Sequence, residues 1–219
     1  MQTGKKAILW DNDGVLVNTE QLFYEVNRDY FAGYGVDLTP QHFFDWFLHA
    51  NHGAWHLLPD YDQSQVPVLR AERNRRYSAR LRQETGLLTE RIDAVLAHLQ
   101  PLFRMAVVTS ARHEDFHIIH RYTGVLPHFE FIITDEDVSN SKPAPDPYLL
   151  GLQRLGLAAD EVLVVEDSPR GLLAARAAGI DCIAIQGELT AGFDFPGALA
   201  VVESNQELLE VILQLKNKQ

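Results

Sequence analysis

The chain has 219 residues, of which 19 are basic and 30 acidic, so its formal net charge is -11. Apolar residues make up 46% and charged residues 22%, which is typical of a folded protein with one domain or one domain carrying an insert. The acidic balance argues against nucleic-acid binding, no apolar run approaches the roughly 20 residues that span a membrane, and the single cysteine excludes an internal disulfide and a CxxC metal site.

The first predicted strand is Lys6–Trp10, and its apolar stretch, Ala7 to Trp10, is too short for the core of a signal peptide, so we expect a cytoplasmic protein that does not bind membranes. It ends in Asp11-Asn12-Asp13-Gly14. Two carboxylates two residues apart in an extended segment point the same way, and glycine allows a sharp turn. Such a tetrapeptide also fits a turn that caps a strand, so its meaning depends on the other strand ends.

Residues 16–86 contain no convincing strand and have the pattern of helices rich in aromatic residues. Thr39-Pro40 predicts the start of one helix, and a long polar helix is predicted over Gln63 to Gln83. A crossover between strands needs about 10–15 residues, and this interval is several times longer. We therefore predict a helical cap domain over 16–86, inserted into a core formed by 1–15 and 87–219.

Two stretches of this insert leave open the choice between a structural and a substrate-binding role. Residues 43–56 mix aromatic and polar side chains, which suits either a surface that contacts a sugar or a cap core built on Phe43, Phe47 and Leu48. Six arginines of the long helix favour a solvated face paired with acids such as Glu72 over the steering of anionic substrates. They are Arg70, Arg73, Arg75, Arg76, Arg80 and Arg82.

Beyond residue 86 the chain alternates between short apolar runs, which predict strands, and helical patterns. Proline after a capping residue predicts helix starts at Asp146-Pro147 and Ser168-Pro169. Nearly continuous apolar runs are typical of a parallel sheet with helices on both faces, so we predict a doubly wound α/β fold with a Rossmann-like core. The five further strands are predicted at Arg104–Thr109, Phe131–Thr134, Val162–Glu166, Asp181–Ile185 and Leu199–Val202.

The later strand ends and loops also carry groups suited to a phosphate or a cation. Thr109-Ser110 ends one strand before a helix, where hydroxyls and free backbone N–H groups can hold a phosphate. Glu166 and Asp167 end another strand, and adjacent acids at an apolar strand end are costly to bury without a cation. Lys142 lies in a loop stiffened by prolines, which suits a fixed cation aimed at an anion.

Two further features favour structural roles. His113, His117 and His120 share a helical face, for which we predict a solvated surface. Cys182 falls within an apolar strand, which predicts buried packing.

The order of these motifs resembles that of the haloacid dehalogenase-like hydrolases over essentially the whole chain. The motifs are Asp-x-Asp-Gly-Val-Leu, Thr-Ser after a strand, Lys-Pro, and Glu-Asp-Ser. More narrowly, the chain is similar to the subfamily that includes β-phosphoglucomutase, phosphoglycolate phosphatase and sugar-phosphate phosphatases. The helical insert after the first motif resembles the mobile cap of that subfamily.

The resemblance implies a Mg²⁺-dependent phosphatase that works through an aspartyl-phosphate. Asp11 would attack phosphorus, and Asp13 would protonate the leaving oxygen and then deprotonate the attacking water. Mg²⁺ would be held by the Asp11 carboxylate, the backbone carbonyl of Asp13, and Asp167, with Glu166 as a further ligand or as a partner of the ligands. The groups implied to bind the phosphoryl oxygens are Thr109, Lys142 and the backbone N–H groups near Ser110 and Ala111.

Two departures from the subfamily bear on the reaction. Relatives often have Asp-Ser-Glu where this chain has Asn18-Thr19-Glu20, which leaves the main chemistry intact but could change contacts with the cap. Phe23 stands where the mutases have a histidine, which argues for simple hydrolysis. Asp13 itself disfavours a dehalogenase, since relatives with that activity generally lack an acid there.

The predicted function is therefore hydrolysis of a small phosphorylated metabolite, such as a sugar or sugar-acid phosphate, by a monomer or a small homo-oligomer. A phosphomutase and a non-catalytic sensor of a phosphorylated ligand are the alternatives, although a sensor has no need of both aspartates. The cap is predicted to rotate about its two connections, near 16–18 and 85–86.

Overall fold

A parallel sheet of six strands forms the centre of the protein in the computed structural model, which describes residues 4–59 and 61–217, the last without its side chain. Residues 1–3 and 218–219 of the predicted core and residue 60 of the predicted cap lie outside the described part. The strand order is β3-β2-β1-β4-β5-β6, so the prediction of a doubly wound α/β fold is confirmed. The strands are β1 Ala7–Trp10, β2 Arg104–Val108, β3 Ile132–Ile133, β4 Val162–Glu166, β5 Asp181–Ile185 and β6 Ala200–Val202.

Helices cover both faces of the sheet because successive strand residues point to opposite sides. Trp10 belongs to the apolar cluster on one face and Leu9 to the cluster on the other. Cys182 is buried in the second cluster, as predicted. No helix in the described ranges is long and apolar enough to cross a membrane. The helices are α1 Glu20–Ala32, α2 Pro40–Phe43, α3 Val66–Leu81, α4 Ile92–Leu99, α5 His113–His120, α6 Asp146–Leu155, α7 Pro169–Ala177 and α8 Asn205–Asn217.

The helix starts follow the capping signals with one exception. The hydroxyls of Thr39 and Ser168 each accept a backbone N–H from the first turn of α2 and α7, as predicted. The prediction for α6 is wrong by one residue, because this helix begins at Asp146 itself. Asp146 accepts a hydrogen bond from Asn140 Nδ2 at 2.8 Å, so its carboxylate ties down the preceding loop instead of capping the helix.

The edge strand β3 is shorter than predicted. The sequence pattern covers Phe131–Thr134, but only Ile132–Ile133 pairs as a strand. The backbone N–H of Thr134 donates to the Asp137 carboxylate at 2.8 Å, which turns the chain away from the sheet.

Helices α1, α2 and α3 pack around an aromatic cluster of their own. Phe43, Phe47 and Leu48 belong to it, as expected of a cap core. The chain enters and leaves this region along two adjacent connections, where Asn18 N–H donates to the Leu87 carbonyl at 2.8 Å. The division into cap and core stays a prediction.

The prediction of a solvated histidine face on α5 is wrong for one of its three residues. His113 and His117 are exposed, but His120 is only 4% exposed. Its ring packs against Phe116 with 4.4 Å between ring centroids, and both ring nitrogens have polar partners. The α5 helix therefore turns its last residue toward the strand ends.

Candidate active site

A cavity of about 270 Å³ lies between the carboxyl ends of the central strands and helices α1 to α3. The carboxyl edge of a doubly wound sheet is the usual location of ligand sites. The structure brings all but one of the predicted site residues into the lining of this cavity. They are Asp11, Asp13, Thr109, Ser110, Ala111, Lys142 and Asp167, while Glu166 lies fully buried beside them.

Lys142 is the buried cation of the site. Its Nζ donates to Asp11 Oδ1 at 2.7 Å, to Glu166 Oε1 at 2.7 Å and to the Val108 carbonyl at 2.8 Å, so all three N–H groups are used. Burial alone would lower the pKa of Lys142, but Asp11 and Glu166 outweigh it and raise this pKa above its ordinary value. Lys142 therefore stays charged and fixes the Asp11 carboxylate.

Glu166 is held from several sides, which sequence reasoning did not foresee. Tyr148 donates to Glu166 Oε1 at 2.5 Å, and Ser168 Oγ donates to Oε2 at 3.2 Å. A Cβ at Gly171 would lie 1.9 Å from the carboxyl carbon of Glu166, so glycine is required there to make room. Because glycine within a helix lowers stability, its place in α7 was a usable signal of such a close approach.

Asp167 is the carboxylate with an unused oxygen. Its Oδ2 is buried and has no hydrogen-bond partner among the described residues. A Cβ at Gly14 would lie 1.7 Å from this oxygen, and Gly14 has a φ of +76°, so the glycine of the first motif is required on both counts. Burial, with Glu20 nearby, raises the pKa of Asp167 well above its ordinary value.

The excess of buried carboxylates fits a divalent cation. Burial raises the pKa of Asp11 to about 7, with Glu166 as the next cause, and burial also raises that of Glu20 to about 8. One carboxylate oxygen each from Asp11, Glu166 and Asp167 lie within 4.8 Å of one another. A hard cation such as Mg²⁺ prefers oxygen ligands of this kind and would compensate the uncancelled charge.

Mg²⁺ should therefore stabilise the protein more strongly as the pH rises. Because the folded-state pKa values of Asp11 and Glu20 lie above their ordinary values, the folded state keeps protons that the unfolded chain loses. Without a cation, stability should fall as the pH rises from about 4 to about 8. We expect the Mg²⁺-induced increase in Tm to be larger at the upper than at the lower end of this range by about 2–8 °C, which corresponds to about 1–2 kcal/mol of stability in a protein of this size.

Thermal unfolding with and without Mg²⁺ across this pH range measures the effect. Asp167→Asn is the matched control, since it removes one carboxylate oxygen and should reduce the Mg²⁺-induced shift at high pH. An increase in Tm that is equal at all pH values would contradict the role assigned to these buried acids.

The Asp13 carboxyl is oriented by two neighbours. Thr19 Oγ1 donates to its Oδ1, and Asn12 Nδ2 donates to its Oδ2 at 3.2 Å. Thr19 precedes α1 as its N-cap residue, yet its side chain makes no capping bond to the helix. A capping bond contributes about 1 kcal/mol to stability, so this hydroxyl serves the site at the expense of the helix.

The groups predicted to bind a phosphoryl oxygen differ in whether their N–H or O–H donor already has a partner within the protein. The Ala111 N–H is taken, because it donates to Thr109 Oγ1 at 2.9 Å. Since that oxygen accepts, its own proton remains available to a ligand. Ser110 Oγ is buried without a hydrogen-bond partner in the described part of the chain, so it can also donate into the cavity.

Arg73 lines the cavity from the side of α3, and here the prediction of a solvated arginine face is wrong. Arg73 is 7% exposed, donates to Asn27 Oδ1 at 3.0 Å, and places its guanidinium 4.6 Å from the centroid of the Phe23 ring. Arg73 lies four residues before the buried Tyr77, so the helical period could have revealed its burial. The prediction holds for three neighbours, Arg75, Arg76 and Arg80, which pair with Glu72 or Glu84 at the surface.

Asn51 forms hydrogen bonds across the cavity, from the segment after α2 to a loop and a helix that flank the sheet. Its Nδ2 donates to the backbone carbonyl of Lys142 at 2.7 Å, and its Oδ1 accepts from Arg170 Nη1 at 2.7 Å. Its φ of 55° is in the left-handed region, which asparagine tolerates better than most residues. These two bonds connect the segment after α2 to the loop that carries the buried lysine and to the first turn of α7.

Comparison with known proteins agrees with the resemblance read from the motifs. The family model of the haloacid dehalogenase-like hydrolases matches residues 8–185, and the chain belongs to this family. The family prediction is thus confirmed, and with it the prediction of a hydrolase.

Two curated relatives span nearly the whole chain. The phosphorylated carbohydrates phosphatase of Thermotoga maritima is 28% identical over 230 residues, covering 96% of this chain and 99% of the relative. Protein CbbY of Rhodobacter capsulatus is 28% identical over 205 residues, covering 88% and 90%. Among solved structures, a variant of CbbY from Rhodobacter sphaeroides in complex with xylulose-(1,5)bisphosphate is 26% identical with a TM-score of 0.76, covering 93% of this chain and 96% of that one.

Proposed function

We propose that this protein is a Mg²⁺-dependent phosphatase that hydrolyses a small phosphorylated carbohydrate through an aspartyl-phosphate on Asp11. The observation that carries the proposal is the pairing of Asp11 with the buried ammonium of Lys142, in the same cavity as the oriented carboxyl of Asp13. A nucleophile, a proton donor and a fixed cation are the groups that phosphoryl transfer requires.

In the first half-reaction, a carboxylate oxygen of Asp11 attacks phosphorus. The bond between phosphorus and the ester oxygen breaks, and the proton of Asp13 passes to the departing alkoxide. The hydroxyls of Thr109 and Ser110 donate to the phosphoryl oxygens, and the positive charge of Lys142, fixed beside Asp11, stabilises the negative charge concentrated there. Mg²⁺ would be held by the Asp11 carboxylate, the Asp13 carbonyl and Asp167, and it would neutralise more of that charge.

In the second half-reaction, the Asp13 carboxylate takes a proton from water as the water oxygen attacks phosphorus. The phosphorus–oxygen bond to Asp11 breaks, which releases inorganic phosphate and restores the Asp11 carboxylate. Asp13 ends this step protonated, ready for the next ester. Glu166 acts on both steps indirectly, because its bonds to Lys142 and Tyr148 hold the lysine in place.

The substrate class is proposed from the cavity wall and the relatives together. The wall opposite the carboxylates combines the buried cation Arg73 with aromatic and polar side chains, among them Trp55 and Asn74. Such a mixture suits a hydroxylated and anionic molecule. The curated relatives, one of them named as a phosphatase of phosphorylated carbohydrates, support the same class.

The residues that line the cavity favour neither of the two alternatives from the sequence, the phosphomutase and the non-catalytic sensor. Phe23 lines the cavity at the position where mutases of the subfamily have a histidine, and its ring has no group that exchanges protons. A sensor would have no use for the oriented carboxyl of Asp13 beside the buried Asp11. Hydrolysis is the reaction that these residues support best.

A screen of phosphate release tests the proposed function. About a hundred phosphorylated metabolites are incubated with the protein in Mg²⁺ and in EDTA, and free phosphate is measured. We expect turnover of sugar or polyol phosphates that depends on Mg²⁺. No release from any monoester in Mg²⁺, or conversion of one sugar phosphate isomer to another without release, would overturn the proposal.

We further infer that residues 16–86 act as a cap that rotates over the site, with Asn51 holding it closed. The two connections run side by side, and Gly86 has a φ of 68°, so backbone rotation there is little restricted. Within the described residues, Asn51 reaches across the cavity to both Lys142 and Arg170.

Asn51→Gly should raise KM by about threefold to tenfold, the loss expected for one or two hydrogen bonds, with a smaller change in kcat. Glycine keeps the left-handed backbone conformation, so the effect isolates the side chain. Asn51→Asp is the matched control, because it keeps the bond to Arg170 and loses only the donor to Lys142, and an intermediate KM is expected. A KM unchanged in both variants, with identical small-angle scattering of all three proteins, would count against Asn51 holding the cap closed.

A further inference from the structure

The Asn12 side chain, which lies between the two aspartates, links Asp13 to a buried histidine. Asn12 is fully buried, its Nδ2 donates to Asp13 Oδ2 at 3.2 Å, and its Oδ1 lies 2.7 Å from His120 Nε2. His120 Nδ1 lies 2.9 Å from Thr123 Oγ1. Four side chains thus form one continuous chain of hydrogen bonds from the end of α5 to the carboxyl.

We propose that His120 is a positioning residue for Asp13 and acts through Asn12. This inference rests on the proposed function, in which Asp13 is the proton donor. It gives the C-terminal end of α5 a part in setting the orientation of that donor.

The hydrogen-bond chain has a defined direction while Asp13 is ionised. A carboxylate only accepts, so Asn12 must present its N–H₂ group, which leaves Asn12 Oδ1 in need of a donor. The neutral imidazole of His120 supplies that donor from Nε2. Its Nδ1 then accepts from the Thr123 hydroxyl at 2.9 Å, a shorter contact than the 3.3 Å between that hydroxyl and the His120 backbone carbonyl, so each side-chain contact pairs one donor with one acceptor.

Burial keeps His120 in the neutral form. Desolvation, with the His117 ring as a second cause, lowers the pKa of His120 to about 4. One ring N–H is therefore present, and the geometry directs it to Asn12 Oδ1. The imidazole works here as a fixed donor whose charge does not change near neutral pH.

Loss of this donor would free the Asn12 amide to rotate by half a turn. The amide oxygen would then face Asp13. It would repel the ionised carboxylate, and it would accept the proton of the protonated carboxyl and draw it away from the leaving group. Thr19 still donates to the other Asp13 oxygen, so the effect should be smaller than that of removing Asp13 itself.

The test uses the leaving group as its readout, because only poor leaving groups need the proton of Asp13. His120→Phe keeps an apolar ring against Phe116 but removes both nitrogens. Its kcat/KM should fall about tenfold or more for an alkyl phosphate, a part of the 10²–10⁴-fold effect of general acid catalysis, and far less for 4-nitrophenyl phosphate.

His120→Gln places an amide N–H near the former Nε2 and should restore most of the alkyl phosphate activity. His117→Phe, on the exposed face of α5, is the matched control and should match the wild type on both esters.

The outcomes separate this inference from the proposed function. If Asp13→Asn shows no preference for aryl esters, the proposed function fails. If Asp13→Asn shows it and His120→Phe loses activity equally on both esters, His120 is merely structural and the inference is overturned. Should His120→Phe not fold, Thr123→Val serves instead, because it removes the hydroxyl at the outer end of the hydrogen-bond chain. This variant should also lose more activity on the alkyl than on the aryl phosphate, by a smaller factor. An equal loss on both esters, or no loss on either, in Thr123→Val overturns the inference as well.

Discussion

Asp11→Asn should lower kcat by on the order of 10⁴-fold or more, the scale seen when a covalent nucleophile is removed. The amide does not attack phosphorus, so no phosphoenzyme should form with any ester. Lys142 would lose one of its two anionic partners, and a Mg²⁺ site built on Asp11 and Asp167 would lose one carboxylate. Steady-state kinetics, intact-protein mass spectrometry and calorimetric titration with Mg²⁺ measure the three consequences.

Asp13→Asn supplies the matched control for the Mg²⁺ titration. In the proposed site Asp13 binds the metal through its backbone carbonyl, which the substitution leaves in place. Mg²⁺ should therefore bind Asp13→Asn nearly as tightly as the wild type, and Asp11→Asn more weakly. Phosphoenzyme in Asp11→Asn, or equal Mg²⁺ affinity in both variants, would refute the assignment of Asp11.

Asp13→Asn should lower the rate by about 10²–10⁴-fold for an alkyl phosphate, the usual contribution of general acid–base catalysis. The loss should be much smaller for formation of the phosphoenzyme from an aryl phosphate, since a phenolate departs without a proton. Hydrolysis of the phosphoenzyme still needs Asp13 as a base, so this step should become rate-limiting. A pre-steady-state burst of phenol followed by slow phosphate release is the expected signature.

One result would contradict the assignment of Asp13 as proton donor. If Asp13→Asn loses the same factor on alkyl and aryl esters and shows no burst, Asp13 does not act as the proton donor. Thr19→Val is a useful companion, because it removes the hydroxyl on Asp13 Oδ1 while leaving the acid itself in place.

The sequence allowed the acids at the strand ends to be predicted because parallel strands bring their carboxyl ends to one edge of the sheet. Asp11 and Asp167 each directly follow a buried strand, and the register β1–β4 sets Trp10 opposite Val165. Their proximity therefore follows from the strand assignment together with the strand order of a doubly wound sheet. Lys142 is less predictable, since its side chain reaches the edge from a loop.

The supporting residues could not be predicted in the same way. Asn12 and His120 are 108 positions apart, and their hydrogen bond depends on how α5 packs against the strand ends. The helical period places His120 four residues after the buried Phe116, which favours burial of its ring, but the period does not reveal which group at the strand ends it meets. Tyr148 and Gly171 likewise matter because two helices meet at Glu166, which is a property of tertiary packing.

Locating the phosphoryl group on the protein tests whether Asp11 is the nucleophile. Asp13→Asn is mixed with 4-nitrophenyl phosphate and Mg²⁺, quenched in acid within the burst phase, digested, and mapped by mass spectrometry. We expect one phosphoryl group per chain, on the peptide that contains Asp11, with fragmentation assigning it to that residue. A phosphoryl group on any other side chain, or phenol release with no phosphorylated protein at any time, would contradict this expectation.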